Sequence, residues 1–177
     1  PNTQGLRNFH KKEEMEKLLS GLNNLKKEKK IKTPITIKLS PDIRDSEIES
    51  IIELIQKYNV QGIIVSNTTD TNRENLSDNK KNELGGLSGQ PLKDISTNLI
   101  KKFYKKTKGT IKIIGVGGVD SGQSAFEKIA AGADVVQLYT GMVYKGPGIV
   151  KDIKKELITI LKKENFKNIR QVVGINA

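Results

Sequence analysis

The chain has 177 residues, with 31 Lys+Arg against 20 Asp+Glu, one His, no Cys, no Trp and a formal net charge of +11. That length predicts one domain able to bury a core, and aliphatic runs such as residues 111–115 speak against disorder. Without Cys this chain holds no disulfides, Cys-bearing zinc sites or protein-ligated iron–sulfur clusters, and a single His speaks against a dedicated transition-metal site.

Strand–helix alternation runs through the chain. Residues 10–29 predict a helix, because Met15, Leu18, Leu19, Leu22 and Leu25 recur at helical spacing. Pro34 then introduces a period-2 strand over 35–39, broken by Ser40-Pro41-Asp42. Ser46-x-x-Glu49 reads as a capping box ahead of a helix with Ile48, Ile51, Ile52 and Ile55 on one face. The next strand is expected over 62–66. A polar loop from Asn67 to Gly89 follows, long enough to suggest a functional role.

Pro91 opens a helix carrying Ile95, Leu99, Ile100 and Phe103, which Gly109 ends. A strand over 111–114 leads into Gly115-Val116-Gly117-Gly118. A short helix near 121–131 and a strand over 134–138 come next. Pro147 opens a last long helix with Ile149, Val150, Ile153, Leu157, Ile160 and Leu161 at helical spacing, and residues 165–177 suggest one more short helix. No apolar stretch approaches the roughly 20 residues that span a bilayer, and no signal peptide is expected.

Four strands each followed by a helix imply parallel pairing through right-handed crossovers. A doubly wound open sheet and part of a (β/α) barrel both fit. Nucleotide-binding open sheets carry glycines at the first strand–helix turn, whereas that turn here is Leu39-Ser40-Pro41-Asp42. The glycine-rich turn follows the third strand and reads G-V-G-G-V-D, and G-K-[ST] is absent, so Rossmann and P-loop readings are weak.

The unusual residues sit at strand ends. Alternation puts Ile35, Ile37 and Leu39 on one face of the first strand and Thr36 and Lys38 on the other. Lys38 then either points into a barrel, needing an anionic or carbonyl-rich partner, or lies in water on an edge strand. Ser66-Asn67-Thr68-Thr69 places hydrogen-bonding side chains where barrel enzymes contact substrate, although turn chemistry alone also accounts for them. Gly117-Gly118 and Tyr139-Thr140-Gly141 follow consecutive strands, where bare backbone amides and helix N-termini suit a phosphate. His10 is expected in solvent, and Glu13, Glu14, Asp45 and Glu47 read as charges in first helical turns.

Only four of the 31 basic residues are Arg, and the Lys runs at 26–30 and 101–106 sit on polar faces of predicted helices. Nucleic-acid readers favour Arg forks and stacking aromatics, so the charge is expected to be solvated helix surface rather than a nucleic-acid footprint. A basic module for nucleic acid or an anionic membrane is the alternative from a different class.

At this point the motifs resemble a family. P-N-T-x-G-L-R (1–7), I-K-L-S-P-D (37–42), G-I-I-V-S-N-T-T (62–69), G-G-L-S-G-x-P-L (85–92), I-I-G-V-G-G-V (113–119), E-K-I-A-A-G-A (127–133), Q-L-Y-T-G (137–141) and Y-K-G-P (144–147) occur in the order of the class 2, quinone-dependent dihydroorotate dehydrogenases. The least matched stretches are 8–33 and 70–83. The resemblance implies that residues 1–177 are the C-terminal half, strands five to eight with their helices, of an FMN-binding (β/α)8 barrel. The parent enzyme would oxidise dihydroorotate to orotate in pyrimidine synthesis and reduce a quinone.

By resemblance, Lys38, Ser66, Gly89, Gly118, Tyr139 and Thr140 match flavin-binding positions, with Ser66 standing where relatives carry Thr. Asn2, Asn67 and Thr68 match residues that hydrogen-bond the substrate ring and carboxylate. Class 2 enzymes place their catalytic Ser immediately before the proline that matches Pro1, so no catalytic residue is expected within the chain, and no metal. A class 1 or other FMN-dependent pyrimidine barrel is the nearer alternative, carrying Cys at that preceding position. The resemblance also implies that the chain lacks the first four strands and a membrane-associating extension. The whole enzyme would be peripheral to the bacterial inner membrane, on its cytoplasmic side, or to the mitochondrial inner membrane. An isolated half-barrel is expected to be inactive and, with two unpaired strand edges, poorly soluble.

Overall fold

Successive strand–helix units build a computed structural model that describes residues 9–71, 73–74 and 76–177. Helix α1 (Lys12–Glu28) precedes β1 (Thr36–Leu39), α2 (Asp45–Lys57) and β2 (Gly62–Val65). After a loop containing a 3-10 turn at Asn79–Asn82 come a second such turn at Gln90–Leu92, then α3 (Lys93–Thr107) and β3 (Lys112–Val116). Helix α4 (Gly122–Ala130), β4 (Val135–Gln137), α5 (Thr140–Lys145) and α6 (Ile149–Lys163) complete the order, with a 3-10 turn at Ile169–Val172. The short α5 has too few residues for a periodic signal and was not foreseen. The expected tail helix is that final 3-10 turn.

The four strands pair in parallel in the order β1-β2-β3-β4. A doubly wound sheet reverses its strand order at a switch point and carries helices on both faces. Here the order follows the chain without reversal, which is the winding of a barrel wall. The register aligns Lys38 with Ile64, Ile64 with Ile114, and Ile114 with Val135 on one face. Leu39, Ile63, Val65 and Ile113 on the opposite face are all 0% exposed. They form one core with Ile48, Ile51, Leu54 and Ile55 of α2 and Leu99, Ile100 and Phe103 of α3. On the uncovered face Val135 is 54% exposed, so the two sides of the same strands have opposite fates.

Smaller apolar clusters tie the last third together. Val119 and Ala125 pack with Ile149 and Ile153 of α6. Ile129, Ala130 and Val172 pack beside Phe126 and Phe166, whose ring centroids are 6.5 Å apart. The tail is fastened by Gly174 N–H to Ile129 O (3.1 Å) and Asn176 N–H to Ala130 O (2.8 Å).

Two local expectations are corrected. The capping box of α2 is not Ser46 with Glu49. The N-cap is Arg44, and Glu47 reaches back to accept from Arg44 N–H at 2.9 Å while pairing with its guanidinium at 3.1 Å. Glu49 instead faces α3 and pairs with Lys106 at 2.7 Å. His10 is not in solvent: half-buried, its Nε2 accepts a hydrogen bond from Ser40 N–H at 3.0 Å, just beyond β1. Part of the Lys surface is likewise paired between helices, with Lys102–Asp45 at 2.6 Å beside the Lys106–Glu49 pair. Exposed pairs of this kind contribute about 0–1 kcal/mol each.

Candidate functional site

The turns that follow β1–β4 converge on one open cleft of about 1220 Å³. Its lining includes Lys38 from β1, Ser66, Asn67 and Thr68 after β2, and Gly117 and Gly118 after β3. Tyr139 and Thr140 come from the turn after β4, and Gly89 from the end of the long loop. Every flavin-type position suggested by the sequence, and both substrate-type positions among the described residues, therefore border the same space. Asn2, the third substrate-type position, lies outside the described residues.

Alternation along β1 decides the place of Lys38. Leu39 is sealed under helices, so Lys38 projects from the other face into the cleft. Among the described residues no ion pair involving its ammonium is formed, which leaves the charge for a ligand. At the next strand end, Ser66 N–H donates to Val116 O (3.1 Å) and Asn67 N–H to Leu39 O (2.8 Å). The Ser66 side chain is buried, and its hydroxyl donates to Asn67 O at 3.0 Å. Asn67 Oδ1 accepts from Thr68 N–H at 2.9 Å. Because that donor must meet an oxygen, the Asn67 NH2 group is the end left for a ligand acceptor.

The long loop is an organised strap. Thr69 and Leu87 exchange backbone hydrogen bonds of 3.1 and 2.6 Å, closing its base. Arg73 holds its interior by donating to Lys81 O (2.9 Å), Glu83 O (2.8 Å) and Gly85 O. Three carbonyls on one fork stiffen a segment that has little regular structure. The strap's far end joins two turns: Ser88 Oγ lies 2.8 Å from Thr140 Oγ1 after β4, and Gln90 Nε2 donates to Gly118 O at 3.3 Å after β3.

Two glycines here are required by geometry. Gly89 has φ +80°, and a Cβ would approach Thr140 Cγ2 to 3.0 Å. Gly118 has φ +68°, and a Cβ would stand 2.5 Å from Lys93 Cβ at the start of α3. Packing alone therefore demands glycine at 118, and the same lack of a side chain leaves that turn's backbone bare toward the cleft. Nearby, burial alone would raise the Asp120 carboxyl. Hydrogen bonds from Gln90 and Ser124 and the charge of Lys145, at 3.4 Å, outweigh it and keep the group below the usual carboxylate range.

The arrangement suits a ligand with a polar ring near Lys38 and Asn67 and an anionic end near Gly118 and Thr140. Tyr139, 80% exposed, forms the rim. Ser88, Gln90 and Asp120 also border this cleft, and the sequence reading passed over them. Ser88 and Gln90 flank Gly89 in G-G-L-S-G-x-P-L, so the motif that marked the glycine was a signal for both. Asp120 carried no signal beyond its place after the glycine turn.

A sequence model described as dihydroorotate dehydrogenase matches residues 1–161. The chain belongs to the dihydroorotate dehydrogenase family. It is similar to the mitochondrial quinone-dependent dihydroorotate dehydrogenase of Mus musculus, 41% identical over 99% of this chain and 45% of that protein. It is also similar to the quinone-dependent dihydroorotate dehydrogenase of Trichodesmium erythraeum, 42% identical over 99% of this chain and 47% of that protein. A ligand-free dihydroorotate dehydrogenase from Eimeria tenella superposes with a TM-score of 0.92 at 31% identity, covering 99% of this chain and 53% of that one. The chain thus spans about half the length of the curated relatives it matches. Its four-stranded wall is half of the family's (β/α)8 barrel. Among the described residues no helix is long and apolar enough to cross a membrane.

Proposed function

We propose that residues 1–177 form the C-terminal half of an FMN-dependent dihydroorotate dehydrogenase, and that the whole protein oxidises dihydroorotate to orotate and passes the electrons to a quinone at a membrane surface. One observation carries this reading: Lys38, Ser66, Asn67, Thr68, Gly118, Tyr139 and Thr140 from four separate strand ends, with Gly89 from the close of the long loop, line one cleft. A set scattered over about 100 residues of sequence meets only if the barrel wall assembles as family membership implies.

The residues present fit FMN. A bare glycine turn and the Thr140 hydroxyl suit its phosphate, and an amide and an ammonium suit its ring, where donors and acceptors alternate. When bound, FMN supplies a two-electron acceptor for the carbon–hydrogen bond that is broken. The Lys38 ammonium holds positive charge where negative charge develops on transfer. The Asn67 NH2 group donates to a substrate carbonyl or carboxylate, Thr68 offers a hydroxyl beside it, and both orient the substrate ring. The two ends of the long loop, Asn67–Thr68 and Leu87–Gly89, border the cleft and are tied down at Thr69–Leu87 and Ser88–Thr140. The proton-accepting Ser is assigned to the position immediately before Pro1.

The test is spectroscopic. Purified full-length protein is expected to show a flavin absorbance that dihydroorotate bleaches and a quinone restores. A colourless protein that takes up no added FMN overturns the proposal. Residues 1–177 alone are expected to show no dihydroorotate oxidation.

A further inference from the structure

Helix α4 buries a cation. Lys128 is 0% exposed, in the apolar face that includes Ala125 and Ile129. Isolated burial of an ammonium is costly, and here the cost is offset by hydrogen bonds rather than by an ion pair. Lys128 Nζ donates to Lys93 O at 3.2 Å, Ser96 Oγ at 3.1 Å and Thr97 Oγ1 at 3.0 Å. Three protons meet three acceptors, all on the first turns of α3. The neighbouring carboxylate of Glu127 is engaged elsewhere, with Lys93 at 2.7 Å. Burial first, and the charge of Lys93 second, push the Lys128 amine down to about 8, so it stays charged at neutral pH.

What Lys128 holds is the link to the cleft. Ser96 is itself 0% exposed. Accepting from the ammonium turns its single hydroxyl proton away, toward Val116 O, with Val65 O at 3.3 Å on the same side. A hydroxyl that accepts from a cation is also a stronger donor. Val65 and Val116 are the last residues of β2 and β3, and Ser66 and Gly117 follow them directly into the cleft. Val116 O also accepts from Ser66 N–H, so two donors lock one carbonyl between the two site turns. The lysine stem reaches this point by passing over Gly115 of β3 on the helix-covered face. A Cβ there would lie 3.3 Å from Lys128 Cδ, 3.1 Å from Ile100 Cδ1 and 3.0 Å from Ala133 Cβ. The first glycine of G-V-G-G thus clears a path for the lysine, while Gly117 and Gly118, which border the cleft, leave room for Leu92 and Lys93.

We propose that Lys128 is a positioning residue: from the helix layer its ammonium orients Ser96, which fixes the Val65 and Val116 carbonyls and so sets how Ser66 and the Gly117–Gly118 turn face the cleft. An apolar side chain of equal length would fill the same volume and leave the Ser96 proton unoriented. The ligand arm of the test rests on the FMN reading above; the geometric arm does not.

The experiment compares full-length wild type, Lys128→Met, Ser96→Ala and the double variant. Amide hydrogen exchange in flavin-free protein reads the geometry directly. The Ser66 amide is expected to exchange at least about tenfold faster in each single variant, with Leu39 and Ile63 amides unchanged and no further gain in the double variant. The dissociation constant for added FMN is expected to rise about tenfold in parallel. Unchanged Ser66 exchange, a uniform rise across the sheet, or additive effects in the double variant would each overturn the proposal, since those are the marks of no role or of packing alone. Should Lys128→Met fail to fold, Ser96→Ala carries the same expectation and the same refutation. Wild type that binds no FMN overturns the functional reading, while the exchange data still decide this one.

Discussion

The two faces of the four-stranded wall are made of alternate residues of the same strands, yet they answer to different demands. Leu39, Ile63, Val65 and Ile113 are sealed under α2 and α3, and the helix layer contributes Phe103 and Ile100 to the same core. Lys38, one position from Leu39, faces an open cleft together with strand-end polar groups. The difference separates what keeps the sheet folded from what equips it to bind. Substitutions on the covered side should register in stability, and those on the open side in ligand affinity.

The largest effect is expected on the covered side. Phe103 is 0% exposed, and Phe103→Ala should lower unfolding free energy by about 3–5 kcal/mol in urea titrations of the full-length protein. A loss below about 1 kcal/mol would show that this face does not carry the fold.

Next comes a buried charge on the covered side. Lys128 is packed against α3, and the charged groups acting on it are Lys93, Asp94 and Glu127. Its amine titrates near 8 when folded and near 10.5 when free, so between those values the unfolded chain holds more protons. Stability contributed at this site therefore rises with pH through that window and is flat below it. The difference between wild type and Lys128→Met is expected to shift by 2–3 kcal/mol, an order-of-magnitude figure, between pH 8 and 10.5. Stability curves that stay parallel would contradict it.

On the open side, Lys38→Met should leave unfolding free energy within about 0.5 kcal/mol and weaken FMN binding about 10- to 100-fold. Equal loss of stability and affinity would erase the distinction between the faces. The smallest effect belongs to the outer helix surface: Lys106→Ala breaks its 2.7 Å pair with Glu49 and should cost less than about 0.5 kcal/mol, diminishing with salt.

Much of this division was written along the chain. The period-2 pattern of β1 put Lys38 opposite Leu39, and glycines at 117–118 marked the turn after β3. Ser66, Asn67 and Thr68 directly follow the aliphatic run of the second strand. Ordered motifs across the chain also carried the family resemblance. Other features depended on partners distant in sequence. Ser88 with Thr140, Gln90 with Gly118 and Glu49 with Lys106 are pairs that no local spacing announces. His10 looked like a surface residue because Ser40, its hydrogen-bond donor, is 30 positions away. Lys128 did have a signal, a lone charge inside an apolar helical face, but its three acceptors lie on another helix.

The sequence by itself determined the alternation of strands and helices, the face on which each strand residue falls and the chemical types gathered at strand ends. These follow from periodicity and backbone preference, which act over a few residues. Periodicity alone left a switched open sheet and a barrel wall both open, the motif resemblance implied the barrel, and only the tertiary structure showed the strand order and which strand ends share a cleft. Strand order and the meeting of distant side chains are set by packing over the whole core, where Lys128 is buried because α3 turns three acceptors toward it.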